Sequence, residues 1–459
     1  MRLTNHTRRI EIGANCYSLE TAGKRIVLDC GMHPRQEGLE GLPALEELPD
    51  DSVDAVFLSH AHQDHIGAMP ALMRRHPRAA LFATDATRQI GDVMLHNSVN
   101  VMLRIREEQG VASYPLFTHR EADVAMKRCQ PVPLRQRWSL DGERLGAGEE
   151  EAVSFELFDA GHILGSAGVL IRSEGRRFFY TGDVNFDGQT LSMGARFPEE
   201  QLDVLLMETT RGDNPLEPGF TRACEEARFG EALRCALERG GAVMVPVFAL
   251  GKTQELLAML AGMQERGVIP RGLPVYIGGL SAKLTELYDK LAGQTPRLRP
   301  TLQLLDTVAP FVVGGADMDG LPVKGGRIYA FTSGMMTENT LSNVFGNRFI
   351  GDPANSLFFI GYADPESPGG KIRHAIPGEP FTLDPRHPAQ KLACALETFN
   401  FSAHASREAM RAWVKRAAPK KIVLVHGDMP AIEWFRQALQ ADLPGTEVVV
   451  PVPGVPLEL

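Results

Sequence analysis

No stretch of the 459-residue chain runs to eighteen consecutive apolar residues, so a membrane-spanning helix is not expected. The N-terminal MRLTNHTRRIEIG carries basic residues with no apolar segment behind them, so a secretory leader is not expected either. Cysteine is scarce. The six present (Cys16, Cys30, Cys129, Cys224, Cys235, Cys394) form no CxxC pair and no regular spacing, the usage of reduced thiols in a cytoplasmic protein. Excess positive charge is missing as well: 48 Lys and Arg stand against 57 Asp and Glu, a net charge of −9. That balance argues against a general nucleic-acid coat protein, which binds phosphate through basic patches, while leaving room for a local basic groove. There is no internal repeat and no low-complexity tract. The tripeptide Gly251-Lys252-Thr253 suggests a phosphate-binding P-loop, but that motif needs glycine where this chain has Pro246, and the reading fails.

What the chain does have is ordinary globular composition, 44% hydrophobic and 23% charged, and enough length for two domains around a large core. Short β-branched or aromatic runs recur, each ending in a polar cluster: RIVLDCG, AVFLSHAHQDH, FELFDAGH, RFFYTGD, VLLMETT and KIVLVHGD. Such runs read as buried strands whose polar residues fall in the loops that follow, where chemistry usually sits. Helical patterns alternate with them, as in IGAMPALMRRH and ALGKTQELLAMLAGMQ.

The densest of the polar clusters is SHAHQDHIG. His60 and His62, two apart at a strand end, can face one metal, and Asp64 and His65, beyond the turn, can address a second. Neutral imidazole and carboxylate both suit zinc, and four coordinating groups in HxHxDH order are hard to explain as solvated loop residues. Two metal shells need more ligands than this cluster holds. His162 in FDAGHILGSAG and Asp183 in YTGDVN stand at other strand ends beside glycines that permit close backbone approach, and the Asp183 carboxylate can bridge both ions. Asp29 in LDCG is expected to orient a histidine ligand.

In order, these motifs resemble the metallo-β-lactamase superfamily from residue 1 to about 205. The resemblance implies an α/β fold, an αββα sandwich with a two-zinc site between its sheets. MVPVFALGKTQELL, TSGMM, NFSAHAS and the upstream ATDATRQIGDVML resemble its β-CASP subfamily of nucleases, in which a nucleic-acid-binding α/β cap is inserted late in the lactamase domain. The expected division is 1–208 for the first part of the lactamase domain, 209–397 for the cap and 398–459 for the C-terminal return. The resemblance places Glu208 as the acidic partner of His404, and His426 as the ligand completing the second zinc. The metal set is then His60, His62, Asp64, His65, His162, Asp183 and His426. RNA-processing members have histidine at the position of His426, whereas the DNA-repair branch has valine. The chain looks most similar to prokaryotic relatives of the pre-mRNA 3′-end endonuclease, without the N-terminal KH domains of archaeal members. It departs from many relatives at GYADPESPGGK, SGMMTEN and IGGLSAK, which are all in the cap.

The resemblance therefore implies a zinc-dependent ribonuclease acting on single-stranded RNA, an endonuclease with 5′–3′ exonuclease action left open. Its catalytic groups would be Asp64, Glu208 and His404, with His404 as general acid. Ser333, Gly334 and Met335 of the cap, together with Arg407 and Arg411, are expected to touch RNA. Arg407, Arg411 and Lys415 share one face of a helical segment, a spacing that equally suits a solvated face. A small-molecule hydrolase of the same fold, a DNA-directed nuclease and a non-catalytic RNA-binding subunit are the alternatives, and the sequence leaves a monomer or a homodimer open.

Overall fold

The computed structural model describes residues 1–318 and 320–459. The chain divides into two compact units, one made of Met1–Gly188, Gly194–Leu216 and Ala403–Leu459, the other of Gln189–Met193 and Glu217–Ser402.

The first unit contains two seven-stranded sheets. One runs, in spatial order, Leu457–Glu458, Arg2–Asn5, Tyr17–Thr21, Lys24–Leu28, Ala55–Phe57, Ala80–Ala83 and Cys129–Pro131. The other runs Glu447–Val449, Lys421–Val425, Val204–Glu208, Arg176–Tyr180, Ala167–Ser173, Val153–Asp159 and Arg137–Ser139. Side chains alternate across each strand, which decides what each sheet buries. In Arg176–Tyr180, Phe178 and Tyr180 join Leu19, Leu28, Phe57 and Phe155 between the sheets. Phe179 turns the other way, onto Phe197 and Trp413. The ring of Phe155 lies 4.6 Å from Phe57 and 4.7 Å from Phe82 of the opposite sheet, so the two inner faces interlock. Helices Arg407–Ala417 and Met429–Asp442 cover the outer face of the second sheet through Trp413, Val414, Ile432 and Phe435. Helices Met69–Arg75, Asp85–Gln109 and His119–Arg128 belong to the outer face of the first, giving an αββα sandwich. The longest of these starts where the Thr84 side chain accepts a hydrogen bond from the Thr87 N–H and stops at Gly110, with φ of 74°.

The second unit is built on a six-stranded sheet, Phe311–Val313, Val275–Gly278, Ile328–Phe331, Val243–Pro246, Ser356–Phe359 and Ala395–Thr398, with every pairing parallel. Parallel strands are covered on both faces, which is why runs such as VMVP and IYAF are apolar throughout and fully buried. Helix Lys252–Glu265, after Gly251 at φ of 82°, follows one of these strands, and Lys252 donates to the Phe401 carbonyl. Among the described residues, no helix is long and apolar enough to cross a membrane.

Arg176–Tyr180, Val204–Glu208 and Lys421–Val425 are adjacent and parallel. Val153–Asp159 pairs antiparallel with Ala167–Ser173, itself antiparallel to Arg176–Tyr180, so it ends at the same edge. His162, Asp183, Glu208 and His426 therefore all stand at or just beyond strand ends on one edge of one sheet.

Candidate metal centre

The HxHxDH segment leaves strand Ala55–Phe57 extended, with His62 at φ −72° and ψ 151°, and closes with one helical turn, Gln63–Ile66. Neighbouring backbone clamps it: Asn15 N–H donates to the Asp64 carbonyl, Cys30 N–H to that of His65 and Met32 N–H to that of Gln63, at 2.8–2.9 Å. Gly31 is required for this clamp, because a Cβ there would stand 1.7 Å from the Asp64 carbonyl oxygen.

The clamped segment meets the other strand ends in two groups. In the first, His60, His62, His162 and Asp183 each bring one ligand atom, all within 4.8 Å of one another. His62 Nδ1 is 3.1 Å from both His60 Nε2 and His162 Nε2, and Asp183 Oδ2 is 3.6 Å from His60 Nε2 and 3.7 Å from His162 Nε2. The second group is Asp64, His65 and His426, again within 4.8 Å. Here Asp64 Oδ2 is 3.4 Å from His426 Nε2 and 3.7 Å from His65 Nε2. The other oxygen of Asp183, Oδ1, faces this second group, 3.3 Å from His65 Nε2 and 3.1 Å from His426 Nδ1. One carboxylate thus turns one oxygen to each group.

Two observations fit a bound cation. Asp183 Oδ1 is buried and makes no hydrogen bond of acceptable geometry, despite two imidazoles nearby. His162 Nδ1 donates to the Ala403 carbonyl at 2.9 Å, which leaves Nε2 as a lone pair aimed at His62 Nδ1. Ring nitrogens that face one another share a proton or a metal ion. Asp29, fully buried, accepts from Ser59 N–H at 2.7 Å, Ser59 Oγ at 2.6 Å, His65 Nδ1 at 2.7 Å and Tyr180 OH at 2.7 Å. It therefore fixes the His65 tautomer with Nε2 turned to the centre. Ser59 and Tyr180 could not be singled out from the sequence, since a serine before a histidine and a tyrosine in a strand carry no motif.

Electrostatics divide the two groups in the same way. Burial, then the charge of His65, holds His60 well below the usual histidine range, and burial followed by His404 does the same to His162. Burial would also lower His65 and His426, but carboxylates outweigh it. Asp183, Asp64 and Asp29 hold His65 well above its ordinary value, and Asp183 and Asp64 push His426 up to about 10. Asp64 falls to about 2, burial being overcome by His65 and His426. Burial thus favours neutral imidazoles in the first group, while the carboxylates favour protonated ones in the second, whose protons a cation would displace.

His404 stands beside both groups. Its Nδ1 lies 3.2 and 3.1 Å from the two oxygens of Glu208, its ring centroid is 4.6 Å from that of His162, and Asp183 Oδ2 is 4.0 Å away. Glu208 Oε1 also accepts from the Val184 N–H at 2.7 Å, which fixes the carboxylate. Thr210 Oγ1 lies 3.2 Å from His426 Nδ1, a contact with no sequence signal beyond its closeness to Glu208.

Of the residues expected to hold substrate, several are engaged within the protein. Arg411 makes a two-pronged ion pair with Asp442 at 2.5 and 2.8 Å, and Lys415 joins it at 3.4 Å. Arg407 pairs with Glu408 at 3.0 Å, donates to the Gly212 carbonyl and stacks over Trp434 at 4.4 Å. Ser333, Gly334 and Met335 belong to the second unit, just past strand Ile328–Phe331. There Ser333 Oγ bonds Thr337 Oγ1 at 3.0 Å and the Met335 carbonyl accepts from Gly369 N–H at 2.7 Å.

Comparison with known proteins agrees with this geometry. Residues 24–247 match the family model of a beta-lactamase superfamily domain, residues 253–372 that of a Beta-Casp domain, and residues 390–451 that of a Zn-dependent metallo-hydrolase RNA specificity domain. Cleavage and polyadenylation specificity factor 73 of Drosophila melanogaster is 29% identical over 94% of this chain and 60% of its own. The endoribonuclease ysh1 of Schizosaccharomyces pombe is 26% identical over 96% of this chain and 56% of its own. A probable RNase MJ4 of Methanocaldococcus jannaschii is 28% identical over 91% of both chains. This chain thus spans less than two thirds of the length of these two eukaryotic relatives. A crystal structure of a protein of unknown function from Enterococcus faecalis V583 shares the fold, with a TM-score of 0.58 at 15% identity, over 100% of this chain and 99% of that one. With the three family models in order and candidate metal-binding clusters at the strand ends, the chain belongs to the metallo-β-lactamase superfamily and carries an inserted β-CASP domain.

Proposed function

We propose that this protein is a two-zinc ribonuclease that hydrolyses phosphodiester bonds of single-stranded RNA. The observation that carries the reading is Asp183, whose two carboxylate oxygens face separate histidine groups 3.1–3.7 Å away. His60, His62, His162 and Asp183 would hold one zinc, and Asp64, His65, His426 and Asp183 the other. Zinc bound there would supply charge neutralisation for the scissile phosphate and activate water as the nucleophile. The substrate class is supported by the relatives named as endoribonuclease and RNase. It is also supported by the match of residues 390–451, which include His404 and His426, to an RNA specificity domain.

The protein's own groups do the rest. Asp29 and the Ala403 carbonyl hold His65 and His162 in the tautomers that present Nε2. Glu208 accepts from His404 Nδ1, which leaves Nε2 to carry the proton that the departing 3′-oxygen requires. In-line attack opposite that oxygen leaves a 5′-phosphate on one fragment and a 3′-hydroxyl on the other. Incubation with 5′- and 3′-labelled RNAs, followed by product mapping, tests the reading, with DNA of the same sequence in parallel. Cleavage of RNA well above DNA, with those end groups, is expected. A protein that leaves both intact but opens thioesters or β-lactams would be a small-molecule hydrolase instead.

A further inference from the structure

Helices Asp85–Gln109 and His119–Arg128 pack against each other, and each carries a histidine and an aspartate four residues apart: Asp92 and His96 on one, His119 and Asp123 on the other. Residues at that spacing share a helix face. The two faces meet. His96 Nδ1 lies 2.7 Å from His119 Nδ1, and the rings stack with centroids 4.9 Å and planes 15° apart. The other nitrogen of His96, Nε2, lies 3.2 Å from Asp123 Oδ1 and 3.8 Å from Asp92 Oδ1. Asp92, His96 and Asp123 thus bring one ligand atom each, all within 4.8 Å of one another.

The two helices are held firmly in this relation. A Cβ on Gly91 would stand 3.3 Å from Met126 Cε, so the glycine beside Asp92 permits the close approach. Thr118 and Glu121 cap each other at the start of the second helix, which anchors the turn that carries His119. The side chains of Asp92, His96 and Asp123 are 48, 31 and 46% exposed, so an ion in solution reaches them. Among the described residues, His96 supplies the only Lys, Arg or His nitrogen within 4.0 Å of either carboxylate.

Only one hydrogen fits between two nitrogens 2.7 Å apart. When His119 donates it, His96 carries its own hydrogen on Nε2, toward the aspartates. When His96 donates it, Nε2 becomes a lone pair between two carboxylates, an arrangement that a cation completes. The exchange conserves protons, because His119 takes a hydrogen on its Nε2 as His96 gives up the one on its own. Two ligands of a tetrahedral zinc, each about 2.0–2.2 Å from it, stand about 3.3–3.6 Å apart. The separations of 3.2 and 3.8 Å bracket that range.

We propose that Asp92, His96 Nε2 and Asp123 bind a zinc ion that clips the two helices together, with His119 holding His96 in the ligating tautomer. None of these residues belongs to the two groups that face Asp183.

The test uses the full chain and zinc ion, with His96→Ala, Asp123→Asn and His119→Ala. Zinc bound per chain is measured by equilibrium dialysis at buffered free zinc. The parent should hold close to one zinc more than His96→Ala, a difference that does not depend on how many ions the strand-end centre takes. His119→Ala, which only frees the His96 tautomer, should weaken this zinc about 10-fold. Asp123→Asn removes a ligand charge and should weaken it more. In the parent, nitrogen-15 spectra of the histidine rings should show zinc on His96 Nε2 and hydrogen on Nδ1. Zinc added after the strand-end centre is filled should keep raising the melting temperature of the parent but not that of His96→Ala. Equal zinc counts in the parent and His96→Ala overturn the proposal, and so do His96 ring signals that zinc leaves unmoved. Loss of more than one zinc in His96→Ala also overturns it, since these helices would then be supporting the strand-end centre.

Discussion

Replacing His404 by alanine separates proton donation from metal binding. The ring belongs to neither ligand group. It meets Glu208 through Nδ1 at 3.1 and 3.2 Å and approaches Asp183 only to 4.0 Å. His404→Ala should therefore retain the full metal content of the parent and still bind RNA. Losing a positioned general acid should slow RNA cleavage about 10²–10⁴-fold, which corresponds to roughly 3–5 kcal/mol of transition-state stabilisation. The loss should depend on the leaving group. An RNA 3′-oxygen needs the proton, whereas p-nitrophenolate departs without one, so on bis-p-nitrophenyl phosphate the variant should retain most of the parent's activity. Glu208→Gln should act in the same direction but more weakly. Its amide oxygen can still accept from the Val184 N–H, but the anion that supports His404 is gone. The assays are elemental analysis, RNA product formation and p-nitrophenolate release. Equal losses on both substrates, or missing metal in His404→Ala, would show that His404 serves the metal site and would refute the assignment.

Elemental analysis of protein purified without added metal should find close to two zincs per chain, and Asp183→Ala should lower occupancy of both positions together; loss of only one would refute a bridging role. Asp29→Asn turns an amide toward donors on Ser59, His65 and Tyr180, and zinc affinity measured by chelator competition should fall about 10–100-fold. Asp159 is raised to about 6, chiefly by burial. The folded state then holds a proton that the unfolded chain has released, so the contribution of Asp159 to stability is greatest at low pH and declines as pH rises from about 4 to 6, by up to about 3 kcal/mol. Asp159→Asn should remove that decline in denaturant titrations at stepped pH; an identical pH profile for parent and variant would contradict it.

Most of the residues that could hold metal were legible in the sequence because coordination chemistry leaves a local trace, while His426 entered only through the family resemblance. Imidazoles and carboxylates at spacings of one to three residues, each set closing an apolar run, announce strand-end ligands without any fold. The strands themselves were equally plain: RFFYT, VLLME and KIVLV are apolar because both faces of their sheet are covered. Direction and company were not legible. That Oδ1 and Oδ2 of Asp183 face different histidine groups depends on loops that come from two sheets and lie more than a hundred residues apart in the chain. The spacing of Arg407, Arg411 and Lys415 showed a shared helix face, but Asp442 occupies that face only because two helices pack side by side on one sheet. Asp92, His96 and Asp123 did not stand out, since an acid and a histidine one helical turn apart are ordinary surface residues until a second helix packs against them. Ligand identity is a property of side-chain chemistry and survives in one dimension. Which lone pair meets which partner, and which charge is left without one, depends on the relative placement of distant segments, and only tertiary packing fixes that.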